Sequence, residues 1–299
     1  MLGFQTAEGK ALNSVVEQDL FALEDKVATA IKRIRQFCAG KRVLVAFSGG
    51  KDSQACYHLC KDAGVPFHAE MSVTRFEPPE QISFIREHYP DCTFRRAYKM
   101  LLVDEIEYRG LPNRWARWCC DCKHVKTDGY DISLVGVRAQ ESPARRASWR
   151  MFGQKPDKTW YLCPVFDWTS DDVWSYLNSR GIPHCSLYDE GFKRVGCVCC
   201  PLAATRKRRD WERWPKTARM LYLGFLKHWK KAEANGFLTS TGKKMHLAEW
   251  ACPRDAFVQW LRTGSVRKDY KPEMGNIPCV FEGTGFSEAD AIENQAEDI

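Results

Sequence analysis

The chain has 299 residues, of which 44% are hydrophobic and 28% charged, and carries a net charge of +7. These are the proportions of a soluble globular protein, with room for one large α/β domain and an appendage. No run of about eighteen apolar residues occurs, which excludes a membrane-spanning helix. Glu8, Glu17 and Asp19 interrupt the apolar positions of the N-terminus and argue against a secretory leader. The expected location is therefore cytoplasmic. In that reducing setting the fourteen cysteines point to metal binding or sulfur chemistry rather than to disulfides.

Val16, Leu20, Leu23, Val27, Ala30, Ile31 and Ile34 recur at helical spacing, so residues 15–37 read as a helix that Gly40 ends. Arg42–Phe47 reads as a buried strand. It runs into Ser48-Gly49-Gly50-Lys51-Asp52-Ser53, and a helix follows from Gln54. A strand, a glycine-rich turn and a helix start form an anion-binding device. The glycines let backbone N–H groups approach a phosphate, and the helix N-terminus adds about half a positive charge. Ser48 and Ser53 can donate hydrogen bonds, and Lys51 can neutralise phosphate charge. The spacing is neither a Walker A loop nor G-x-G-x-x-G.

Phe67–Thr74 reads as a second strand, and Pro78-Pro79 opens a helix over Glu80–His88. Thr93–Tyr98 is a weaker third strand. Ile132–Val137 and Trp160–Val165 are clear strands, and Thr169–Ser179 is a helix capped by Thr169 or Ser170. Alternating strands and helices predict a doubly wound parallel sheet whose ligand lies beyond the strand C-termini. Arg138 and Arg145 follow the Ile132–Val137 strand, where arginines are placed to fork a phosphate or sulfate. The aromatics from Pro164 to Tyr188 read mostly as core.

Two cysteine clusters stand out, Trp118-Cys119-Cys120-Asp121-Cys122 and Cys197-Val198-Cys199-Cys200-Pro201. The pairs Cys119/Cys122 and Cys197/Cys200 can supply four thiolates to one zinc ion or to a [4Fe–4S] cluster. A four-ligand zinc site leaves Cys120 and Cys199 over, and a spare thiol there could carry persulfide sulfur or be buried. After Pro201 the chain reads as α-helical, basic and rich in tryptophan. Ten Lys/Arg lie between Thr205 and Lys231 against Asp210 and Glu212. The Arg206–Lys231 segment interleaves cations with Trp211, Trp214, Tyr222, Phe225 and Trp229, a pattern that suits nucleic acid or, equally, a basic helix with a buried aromatic stripe.

Ser48–Ser53 resembles the SGG-x-DS pyrophosphate loop of the adenine nucleotide α-hydrolase (N-type ATP pyrophosphatase) superfamily. From Arg42 to Pro201 the order of motifs is similar to the PAPS reductase family. The motifs are the loop, Arg117-Trp118-Cys119-Cys120, Gly136-x-Arg138-x-x-Glu141-Ser142-x-x-Arg145, Pro164-x-x-Asp167-Trp168, Leu187-Tyr188-x-x-Gly191 and Cys197-x-x-Cys200-Pro201. The resemblance implies that Ser48, Gly49, Gly50, Lys51 and Ser53 bind phosphates and that Arg138 and Arg145 grip the anionic end. It also implies a cluster on Cys119, Cys120, Cys197 and Cys200, with Cys122 competing with Cys120 as ligand. The reductive E-C-G-[IL]-H tail of sulfonucleotide reductases has no counterpart, since the last cysteine is Cys279 in Ile277-Pro278-Cys279-Val280-Phe281. The chain instead resembles the phage and bacterial side branch that includes the DNA phosphorothioation sulfurtransferase.

The resulting expectation is an ATP-dependent sulfurtransferase-like enzyme with ATP, Mg²⁺ (helped by Asp52), a [4Fe–4S] cluster and a sulfur-donor protein, acting on an acceptor such as a nucleic acid. The alternatives are a PAPS or adenylyl-sulfate reductase using Cys279 and a non-catalytic nucleic-acid-binding zinc protein. The expected blocks are an N-terminal helix over 1–40, a nucleotide-binding domain over 41–201, a basic helical region over 202–282 and an acidic disordered tail over 283–299.

Overall fold

The computed structural model describes residues 23, 25–124, 127–155, 158–203 and 207–269. The start of the expected N-terminal helix, Arg206, Cys279 and the acidic tail lie outside these described residues. A helix over 25–38 (α1) leads into six strands: β1 Val43–Ala46, β2 Phe67–Val73, β3 Thr93–Arg96, β4 Ile132–Val135, β5 Phe152–Gln154 and β6 Trp160–Leu162. Their order in one sheet is β3-β2-β1-β4-β6-β5. β1 runs parallel to β2 and β4, and β4 parallel to β6, while β5 is an antiparallel edge on β6. The expected α/β architecture with a mostly parallel sheet is thus present. Val43, Leu44, Val45, Ile132 and Leu134 are all buried, as strands covered on both faces must be.

The helices in chain order are α2 Lys51–Ala63, α3 Pro79–His88, α4 Leu102–Arg109, α5 Trp118–Lys123, α6 Pro143–Ser148, α7 Ser170–Ser179, α8 Lys207–Arg213, α9 Pro215–Ala234 and α10 Pro253–Thr263. α7 begins with a reciprocal capping box: the Thr169 side chain accepts the Asp172 N–H and the Asp172 carboxylate accepts the Thr169 N–H. The sequence reading offered Thr169 or Ser170 as the cap, and the structure selects Thr169. The short edge strand β5 went unread because it has three residues with Gly153 at its centre.

The chain divides into two compact units, and neither is continuous in sequence. One comprises the described residues within Met1–Met71, Glu80–Arg95 and Val125–Val195. The other comprises those within Ser72–Pro79, Arg96–His124 and Gly196–Ile299. In the first, chain order reverses at β1: the strands run outward to β3, then return on β1's other side at β4. That switch point is where open α/β sheets bind ligands. In the second, α4 packs on α9, and Gly224 permits the approach, since a Cβ there would stand 2.8 Å from the Ile106 Cβ. Tyr222, Phe225, Phe257 and Trp260 fill this unit's core, each at most 1% exposed.

Candidate nucleotide and cysteine sites

The Ser48–Ser53 loop occupies the switch point. Gly49 adopts a φ of +67°, and a Cβ there would stand 2.7 Å from Ile85 Cγ1, so both backbone and space demand glycine. The Ser53 hydroxyl accepts the Ser48 N–H at 3.1 Å and donates to the Gly50 carbonyl at 2.8 Å, closing the loop on itself. The buried Gln81 amide donates to the Ser48 carbonyl at 2.6 Å. Among the described residues, no protein acceptor takes the Gly50, Asp52 or Ser53 amide N–H. These donors sit at the start of α2, where an anion is favoured.

The charges around the loop are organised by Asp52. Lys51 Nζ donates to both its oxygens at 2.9 Å, and Arg138 Nε donates to Oδ1 at 2.7 Å. Lys51 and Arg138 are each 5% exposed. Burial lowers the Lys51 pKa, and the neighbouring Asp52 carboxylate partly offsets this. Arg138 is held in place because Gly136 lets the end of β4 press against α2, where a Cβ would meet the Asp52 carbonyl carbon at 2.7 Å. The Pro164–Trp168 motif adds support: the Phe166 carbonyl accepts the Ala139 N–H at 2.8 Å, and Asp167 anchors α1 through Arg33 at 2.8 Å on both oxygens.

Arg145 behaves differently from Arg138. Its Nε lies 3.5 Å from Glu141 on its own turn of chain, while Glu141 in turn acts electrostatically on Lys51. A hollow of about 340 Å³ opens beside them, lined by Gln140, Ser142 and Arg146 among others. Sequence reasoning missed Gly136 and Gln81. Gly136 was legible only as the first letter of a motif, and Gln81 carried no signal.

The two cysteine clusters belong to the second unit. Trp118 anchors α5 by donating to the Gly110 carbonyl at 3.1 Å. Cys119 and Cys120 act on one another, which lowers the Cys120 pKa and pushes Cys119 up; Cys197 and Cys200 act electrostatically on Cys119 as well. Lys123 Nζ lies 2.9 Å from Glu77 and 3.4 Å from Cys197 Sγ. Cys199 has a φ of +51° and donates its N–H to Asp210 at 2.9 Å, a strained backbone held by a buried carboxylate. Cys122 faces Arg109 and Glu105 instead, and burial raises its pKa. Electrostatically, then, Cys119 is affected by Cys120, Cys197 and Cys200, and Cys122 by Arg109, Glu105 and Asp121. Thiolates are the right donors in kind for zinc or iron–sulfur. Yet among the described residues no three His, Cys, Asp or Glu side chains converge to the spacing that holds a metal ion.

In the basic helices, Trp211, Trp214, Tyr222, Phe225 and Trp229 are all at most 6% exposed. They are core, so none of them offers a face on which a base could stack. Among the described residues no helix is long and apolar enough to cross a membrane.

A sequence profile of the phosphoadenosine phosphosulfate reductase domain matches residues 42–203. An uncharacterized protein of Methanocaldococcus jannaschii is 31% identical over 60% of this chain and 42% of its own length. A second from the same organism is 28% identical, with 47% of its length covered, so the chain spans about half of each. Adenosine 5'-phosphosulfate reductase of Shouchella clausii is 25% identical over 55% of this chain and 73% of its own. Among solved structures, a phosphoadenylyl-sulfate reductase from Candida auris aligns at 15% identity with a TM-score of 0.44, covering 56% of this chain and 88% of the other.

Proposed function

We propose that this chain, which belongs to the phosphoadenosine phosphosulfate reductase domain family, is an ATP-dependent enzyme that activates an acceptor for sulfur transfer. The observation that supports this most is the Ser48–Ser53 loop, whose Gly50, Asp52 and Ser53 amides meet no protein acceptor among the described residues, beside the buried cations Lys51 and Arg138. In this reading the loop holds the β- and γ-phosphates. An acceptor oxygen attacks the α-phosphorus, the bond from that phosphorus to the bridging oxygen breaks, and pyrophosphate leaves with its charge met by Lys51 and Arg138. Mg²⁺ bound to the nucleotide would offset phosphate charge, and Asp52, which accepts from Lys51 and Arg138, is the residue that would help hold it. Cys119, Cys120, Cys197 and Cys200 would hold a [4Fe–4S] cluster, which would supply sulfur-handling chemistry; zinc is the alternative occupant.

The test is an anaerobic assay with ATP and candidate acceptors. Pyrophosphate and an adenylated product are expected, with Lys51→Ala reducing the rate by about 10²-fold or more. Release of ADP and phosphate instead would overturn the reading. Iron and acid-labile sulfide, measured on the same protein, decide between cluster and zinc.

A second reading is favoured by the curated relatives named adenosine 5'-phosphosulfate reductase. It predicts sulfite release from a sulfonucleotide with a thiol reductant, lost in Cys279→Ser. For the acceptor we propose a nucleic acid, on charge alone: residues 207–269 carry fifteen Lys/Arg against six Asp/Glu. Oligonucleotide affinity that does not fall with salt would remove that choice.

A further inference from the structure

Tyr188 lies in the turn after α7, within the first unit, and has no role in the reading above. Its ring stands edge-on to Trp174 at 4.9 Å between centroids, which fixes the direction of its hydroxyl. That hydroxyl accepts the Lys51 N–H at 3.0 Å. It is 3.6 Å from where a Cβ on Gly50 would sit, so it forms part of the rim of the anion loop. With the Lys51 amide directed at its oxygen, the phenol keeps its own proton to donate. Among the described residues no acceptor takes that proton. Burial, followed by the Asp52 charge, pushes the Tyr188 pKa up to about 12, so the proton is retained at neutral pH.

We infer that Tyr188 donates its hydroxyl proton to the phosphate group bound at the Ser48–Ser53 loop, completing a cradle otherwise made of backbone amides. The inference rests on the nucleotide reading of that loop and adds a neutral side-chain donor to it. The arrangement has a chemical use. A neutral donor holds a phosphate oxygen without adding to the cationic repulsion between Lys51 and Arg138. It also releases the leaving pyrophosphate more readily than a third cation would.

The test uses the full chain with ¹³Cζ-labelled tyrosine, the Tyr188 resonance being assigned by its loss in Tyr188→Phe. Inorganic pyrophosphate and ATP are the probes, with affinity measured by calorimetry. The expected result is a shift of the Tyr188 ¹³Cζ signal on adding pyrophosphate, together with about 10-fold weaker binding by Tyr188→Phe, the size of one hydrogen bond to a charged group. Equal affinity in wild type and Tyr188→Phe overturns the inference. So does weaker binding by the variant with an unmoved ¹³Cζ signal in the wild type, because Tyr188 would then act only by holding the Lys51 amide. If the wild-type chain binds neither probe, the nucleotide reading itself fails and Tyr188 falls with it.

Discussion

Asp52 sits between two buried cations, and its substitution separates two functions that the sequence runs together. As folded, it accepts hydrogen bonds from Lys51 at 2.9 Å and Arg138 at 2.7 Å. An anion entering the loop competes with it for the same partners. Asp52→Asn should therefore destabilise the free protein by about 3–5 kcal/mol, the cost of leaving buried charge unpaired. The same variant should gain more thermal stabilisation from pyrophosphate than the wild type does, because the ligand then supplies the missing negative charge. Thermal unfolding with and without pyrophosphate checks both halves, and a variant as stable as wild type would show that the pairing is cosmetic. His58 gives a second residue-level expectation. Burial lowers its pKa from 6.5 to about 4, and Lys61 adds to this. Between those two values the unfolded chain binds a proton that the folded chain refuses. The stability due to neutral His58 is therefore intact above pH 6.5 and erodes as pH falls toward 4. His58→Gln should flatten the stability–pH curve in that window by at most about 1.4 kcal/mol per pH unit, less because the ring is partly exposed. Denaturant titrations at several pH values measure the slope.

At the scale of elements, what could be read in advance depended on whether the signal was local. The loop after β1, the cap of α7 and the strands β1, β2 and β4 were legible because contiguous residues carry them. The roles of Gly136, Gln81 and Tyr188 were not, because each depends on a close approach between segments far apart in sequence. The aromatics of α8 and α9 show a different failure. Cations alternating with aromatics mark a stacking surface and an amphipathic buried helix equally well, and Trp211, Trp214 and Trp229 are at most 6% exposed. Charge survives as a signal there, but stacking does not. The same helix offers a sharp test of its packing. Gly224 brings α9 against α4, and a Cβ would meet Ile106 Cβ at 2.8 Å and the Val103 carbonyl oxygen at 2.9 Å. One of those neighbours is backbone and cannot rotate away. Gly224→Val should cost about 1–3 kcal/mol by overpacking, although valine is more hydrophobic and the position is buried. A rise in stability, measured by chemical denaturation, would mean that α4 and α9 are not packed this closely.

At the scale of the whole molecule, the family match and the folding unit do not end together. The match stops at residue 203. The unit that contains Cys119 and Cys197 is assembled from Ser72–Pro79, Arg96–His124 and the chain from Gly196 onward. Its Arg96–His124 segment is held by helices beyond the match. α4 packs on α9, Trp260 of α10 donates to the Pro112 carbonyl at 2.6 Å, and the Arg114 N–H donates to the Gly264 carbonyl at 3.3 Å. The loop leading into the first cysteine cluster is therefore pinned by residues that the family profile does not cover. A chain ended after residue 203 would keep every family motif and lose α9, which packs on α4, whose Ile106 and Leu102 are both at most 1% exposed in the full chain. Exposing them removes about 1.5–3 kcal/mol of hydrophobic stabilisation for each side chain. It also frees the 111–117 loop from its anchors. The shortened chain should be insoluble or should unfold well below the full chain, and any metal content of the full protein should fall with it. Soluble yield, thermal unfolding and metal analysis of the two lengths side by side provide the check. A shortened chain that unfolds cooperatively at the full chain's temperature would show that the helices from α8 onward are an appendage to the cysteine unit and not part of its core.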